Sequence, residues 1–150
     1  MKNASDTAVT NTFMILLLWA GLSLGGNLIA APAKFQVEVV SLDDLLRIGR
    51  AQFAWLGVAE ILFAIVFIGM CLIKKAYLSW TSIAALLILF LQQVGLQPLL
   101  QARTDLILAD QPAPSSHLHL IFIATEIAKF FFLVWAAISL LRLSTLAKAP

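Results

Sequence analysis

Four apolar stretches, residues 12–31, 50–73, 77–100 and 117–141, fill most of this chain, and each is long enough to cross a bilayer. A helix rises about 1.5 Å per residue, so about 20 residues cover the roughly 30 Å of hydrocarbon. A lone spanning segment has no water around its backbone and must close its own hydrogen bonds, which selects helices. A barrel would show short alternating segments instead. Composition agrees: 61% of the residues are hydrophobic, 12% are charged and the mean hydropathy is +0.96, outside the range of a water-soluble domain. The expected fold is all-α, an integral membrane four-helix up-and-down bundle forming a single transmembrane domain over residues 1–150.

Strongly polar residues inside these stretches follow an order. Stretches one and three carry theirs late (Asn27; Gln92, Gln93 and Gln97), and stretches two and four carry theirs early (Gln52, Glu60; His119, Glu126, Lys129). In an up-and-down bundle that order gathers them in one half and leaves the other half apolar. Glu60 and Glu126 fall near mid-membrane, where an ionisable side chain costs about 2.5 to 3.5 kcal/mol on insertion scales. Glu126 and Lys129 are spaced i, i+3 and share a helical face, so they can pair. Glu60 has no such partner on its own stretch and needs Lys129 across the bundle, a proton, water or a ligand. Gln93, Gln97 and Gln101 form an i, i+4, i+8 stripe with Gln92 offset, beside Pro98, which removes a backbone donor and frees a carbonyl. A pocket wall would look like this, and Asn27 is either part of it or a cross-helix hydrogen bond. The structural alternative is a buried clasp of Glu60, Glu126 and Lys129 with glutamines bonding between helices.

Lysine and arginine near the ends of the stretches set the expected orientation. Lys2, Lys74, Lys75, Arg142 and Lys148 share one side with Asp6, whereas Lys34, Arg47, Arg50 and Arg103 stand beside Glu38, Asp43, Asp44, Asp105 and Asp110. The Lys74-Lys75 pair lies in a very short loop, where the positive-inside rule is strongest, so both termini are expected in the cytoplasm of a bacterial inner membrane. The polar half then faces outward. The first stretch resembles a signal peptide, but its long polar leader and Pro32 beside the cleavage-like Ala31-Pro32-Ala33 favour retention. Pro32 is expected to end the first helix, and Ser41 with Asp44 reads as a capping box starting the second near Leu42. Ser115-Ser116 is placed to cap the fourth helix. Trp19, Trp55, Trp80, Trp135 and Tyr77 are candidate interfacial anchors, best placed at Tyr77 and Trp80.

His117-x-His119 invites a metal, but helical residues two apart point about 200° from one another. Only His119 shares a face with Glu126, which makes it the candidate metal ligand. Gly21-x-x-x-Gly25 offers a small-residue face to another helix, and Gly57 the same on stretch two. Cys71 is the single cysteine, so no internal disulfide and no CxxC chemistry follow. A net charge of +2 with no basic stripe gives no footprint for nucleic acid. No phosphate-cradling glycine loop, nucleophile elbow or soluble-type triad is present.

The segments Gly25-Gly-Asn-Leu-Ile-Ala-Ala-Pro-Ala-Lys-Phe35, Ile48-Gly-Arg-Ala-Gln-Phe53 and Leu96-Gln-Pro-Leu-Leu-Gln-Ala-Arg103, with His119 heading helix four, resemble small four-helix membrane proteins of the CopD-like superfamily. Within it they are most similar to an uncharacterised branch that includes transmembrane proteins linked to platinum-drug resistance. The resemblance implies copper or haem as cofactor, as in copper-resistance proteins or HemJ-type oxidoreductases, with His119 and Arg50 as the residues that carry over. The Arg, Asn and Glu spacing of the glutathione-linked MAPEG enzymes is not reproduced by Arg50 to Glu60. Three functions follow as expectations. The first is a non-enzymatic membrane protein that binds or moves a small ligand, such as a metal ion, through a pocket of Asn27, Arg50, Glu60, Gln93, Gln97, Glu126 and Lys129. The second is a haem-dependent oxidoreductase using His119. The third is a structural subunit of a membrane complex, docked through Gly21 and Gly25. Membrane lipids are partners under all three.

Overall fold

The computed structural model describes residues 4–74 and 78–146. It is an all-α four-helix bundle, with four helical spans long and apolar enough to cross a membrane: Thr7–Gln36, Leu42–Ile73, Trp80–Leu108 and Leu118–Leu143. No strand occurs among the described residues. Span four packs along spans one and three, span one also along span two, and spans two and three meet over a shorter length. Lys2, Lys75, Tyr77 and Lys148, which enter the charge and anchor arguments, lie outside the described residues.

The spans run beyond the apolar stretches that announce them, and local chemistry explains each limit. Span two begins at Leu42, where Ser41 Oγ accepts from the Asp44 amide at 3.2 Å and donates to Asp44 Oδ2 at 2.6 Å. The aspartate is too short to reach back to the serine amide as a glutamate would, so the reciprocal bond closes on the hydroxyl. Ser79 caps span three by accepting from the Ser82 amide at 3.1 Å, and Ser116 accepts from Leu118 N at 3.1 Å before span four. Span three continues two turns past residue 100 to Leu108, so Gln101 and Thr104 stand on a helix. It closes in a Schellman motif: Gln111 N donates to Leu106 O at 2.9 Å and Asp110 N to Ile107 O at 3.1 Å, with Asp110 at φ 52°. Arg103 ties the following loop down by donating to Pro114 O at 2.7 Å.

Pro32 does not end the first helix. The chain is α-helical over Ala4–Leu22, widens to a π-helix over Ser23–Ala30, and carries on through Ala31–Ala33 to a 3-10 turn at Lys34–Gln36. Span three repeats the device, with a π segment over Gln92–Leu96 immediately before Pro98. A helix-interior proline lacks its amide and presses on the carbonyl four residues back. Widening the preceding turn relieves that contact and lets the helix run on.

The bundle divides as the polar order requires. Leu16, Trp19, Ala20, Ala64, Phe67, Ala85, Leu89, Leu133, Ala136 and Ala137 form one apolar core in the half nearer the ends of the chain. Trp19 belongs to this core, fully enclosed, and is no interfacial anchor. Trp80 is exposed at the start of span three, edge-on to Phe132 and Trp135 at 5.7 Å each. Gly21 and Gly25 face outward, and a side chain added at either meets nothing within 4 Å. The close approach of spans one and two falls at Gly26, where Leu56 fills the space a side chain would need. Gly57 makes room for a side chain rather than a helix: a Cβ there would stand 2.7 Å from Gln93 Oε1.

Candidate functional site

At mid-bundle four buried side chains from three spans close a network. Lys129, Glu126, Glu60 and Gln92 are each 2% exposed or less. An ammonium has three donors, and Lys129 uses all of them: to Glu60 Oε2 at 2.6 Å, Gln92 Oε1 at 2.8 Å and Glu126 Oε2 at 3.0 Å. Glu126 receives four donors. Its Oε2 accepts from Lys129 and from Gln92 Nε2 at 3.0 Å, and its Oε1 from the Ser23 hydroxyl and from Asn27 Nδ2 at 3.0 Å. Gln92 Nε2 also reaches Thr125 Oγ1 at 3.0 Å. Charges taken this far from water persist only with such dense pairing. Glu60 is less well served: its Oε1 has no partner, and the Trp19 indole N–H lies near this carboxyl without reaching hydrogen-bond geometry.

Beyond the network, toward the 1–2 and 3–4 connections, a cavity of about 360 Å³ opens between all four spans. Asn27 and Glu126 form its floor; Leu28, Leu46, Phe53, Leu100, Phe122 and Ile123 contribute apolar wall; Lys34, Arg50, Thr104 and His119 stand toward its mouth. Asn27 is 9% exposed, and its Oδ1 has no partner. Gln52 Nε2 and Gln97 Nε2 brace the walls by donating to the backbone oxygens of Gly26 (2.8 Å) and Phe53 (3.1 Å). Phe53 meets Phe122 edge-on at 5.4 Å, joining spans two and four across the cavity. Arg50, partly buried, pairs with the exposed Asp105 at 2.6 Å.

The expected pocket therefore splits into two connected parts. Asn27, Arg50, Gln97, Glu126 and His119 line the cavity, with Gln101 from the glutamine stripe. Glu60 and Lys129 do not; they lie in the network behind Glu126. Gln93 is in neither part and packs against Gly57 instead, while the offset Gln92 takes the network position. The π turn over Gln92–Leu96 changes the rotation per residue, which the i, i+4, i+8 stripe assumes to be constant. Ser23 and Lys34 were not legible as site residues. The polar pair Ser23 and Asn27, four apart, is a signal for the first. Lys34 is hidden by the expectation that Pro32 stops the helix.

A metal fits these residues poorly. Among the described residues no group of three His, Cys, Asp or Glu side chains could hold an ion. His119 is the only histidine on the cavity wall, so a haem there would find no second imidazole. What the fold and site define is a membrane four-helix bundle with a cavity whose floor is part of a buried charged network. Set against known proteins, the chain matches no family model, no curated protein and no solved structure.

Proposed function

We propose that this protein binds a small amphipathic ligand in the cavity and holds or moves it at one face of a bacterial inner membrane, without chemical conversion. One observation carries the reading: Glu126 is at once cavity floor and the most heavily hydrogen-bonded member of the buried network. Intramembrane charges that face a cavity are functional sites by default. A clasp that only fixed helix pairing would have no reason to present an edge to a cavity of ligand size.

The test is photolabelling of the protein in lipid nanodiscs with a ten-carbon alcohol bearing a diazirine, followed by mass-spectrometric mapping. Labelling is expected to concentrate on Leu28, Leu46, Phe53, Phe122 and Ile123, and to fall at least tenfold in Ile123→Trp, which fills the cavity. Labels spread evenly over lipid-facing positions such as Trp55 and Leu72, with no Ile123→Trp effect, would remove the reading.

A second reading, a subunit docked to another membrane helix, is favoured by Gly21 and Gly25, which face outward with open space above them. Gly21→Leu with Gly25→Leu is expected to release any copurifying partner in mild detergent. Wild-type protein that always emerges alone would remove it.

A further inference from the structure

We infer that the cavity selects an anionic amphiphile, an acid group on an apolar chain, with the acid held at the mouth by Lys34 and Arg50. The inference rests on the ligand-binding reading above and specifies the ligand's chemistry.

The mouth carries more positive than negative charge. Lys34 and Arg50 line it, and the acid engaged there is Asp105, paired with Arg50 and more than half exposed. Lys34 forms no ion pair among the described residues. Its ammonium has Gln52 Oε1 at 3.5 Å and stands 5.2 and 5.3 Å from the rings of Phe35 and Phe53. An ammonium over aromatic rings at the edge of an apolar cavity gains from a counter-ion more than one in water does. The position is built into the backbone. The helix continues past Pro32, and the 3-10 turn Lys34–Gln36 carries the lysine to the cavity. Glycine at position 49 leaves the space its Nζ occupies, since any Cβ there would collide with it. Arg50 meets Asp105 through Nη2, and a guanidinium has five donors, so others remain for a ligand.

The floor fixes the ligand's direction. Glu126 repels a second anion, and the unpartnered Asn27 Oδ1 accepts hydrogen bonds but cannot donate one to an acid. The acid therefore stays at the mouth and the chain points inward along the apolar wall. Lys34 and Asn27 are seven residues apart on one span, about 10 Å of helix rise, which suits a chain of medium length.

Carboxylate and phosphate share this chemistry, so the probes separate a free acid from a lipid headgroup. Decanoate, decyl phosphate, decanol and decyltrimethylammonium compete with the diazirine alcohol in zwitterionic nanodiscs, and a parallel arm dopes dioleoyl phosphatidic acid into the disc. Decanoate or decyl phosphate is expected to compete at least tenfold better than decanol, and the cation worst. Competition by decanoate alone assigns a free carboxylic acid; competition by decyl phosphate and phosphatidic acid assigns a lipid. Lys34→Gln and Arg50→Gln are each expected to weaken the acids several-fold more than they weaken decanol, and persisting cavity labelling by the diazirine alcohol reports an intact fold. Asp105→Asn, which frees Arg50, is expected to tighten them. If the alcohol labels the cavity but acids compete no better than decanol, acid selection is overturned and the cavity reading stands. If the alcohol fails to label the cavity, both fall.

Discussion

Lys129 and the two carboxylates are unequal partners, and their hydrogen bonds rank the effects of replacing them. Glu126 accepts from Lys129, Gln92, Ser23 and Asn27, so an amide at 126 sets a donor against donors whichever way it turns. Glu60 accepts from Lys129 with one oxygen and nothing with the other, so a glutamine at 60 keeps the used acceptor. Glu126→Gln is therefore expected to lower thermal stability in detergent clearly more than Glu60→Gln. Lys129→Met leaves two buried carboxyls without their cation and is expected to lose on the order of 3 to 5 kcal/mol, read by unfolding in mixed micelles. Equal stabilities for the two glutamine variants would contradict this ranking. The i, i+3 spacing makes the pairing of Glu126 with Lys129 legible in the sequence, and the charge imbalance points Glu60 to the same lysine. Which glutamine joins them is not legible, because that depends on the helical rotation at residues 92–96.

Prolines and wide turns act together in spans one and three. Each π segment precedes a proline, and each holds buried polar residues of the site: Ser23 and Asn27 in one, Gln92 in the other. A π turn amounts to one residue inserted into an α-helix, so deleting Gly95, which has open space around it, returns span three to regular winding. Regular winding presses Pro98 against the carbonyl of the preceding turn, a conflict of about 3 kcal/mol. The deletion alone is expected to destabilise the protein in thermal unfolding, and Pro98→Ala in the deleted chain to restore most of the loss. Restoration is the discriminating result, since a packing defect at Gly95 would not respond to position 98. Helix starts at Ser41 and Ser116 follow from capping chemistry, which is local and legible, whereas the apolar run from residue 77 hides the cap at Ser79. Helix continuation past Pro32 is not, because it depends on a backbone adjustment upstream that no residue type announces.

At the scale of the whole molecule, the late, early, late, early order of polar residues is the most informative pattern in the chain. It places an apolar core toward the ends of the chain and a cavity with its charged floor toward the opposite face. It does not show that the two halves meet at Glu126, because which wall a residue faces depends on how the helices rotate against one another. The proposed orientation, both termini cytoplasmic, predicts an accessibility pattern. In a Cys71→Ser background, Ser41→Cys is expected to react with a membrane-impermeant maleimide on intact cells, and Thr145→Cys only after lysis. The reverse pattern would invert the topology and turn the cavity inward.

Trp19 is the one fully enclosed tryptophan, and Trp55, Trp80 and Trp135 are all more than half exposed. With those three changed to phenylalanine, the remaining indole, lying beside Glu60, becomes an optical reporter native to the fold. Its emission should be blue while the surroundings stay dry, and any hydration or rearrangement of the charges behind the cavity would register as a shift to the red, so that events in the two compartments can be timed against each other.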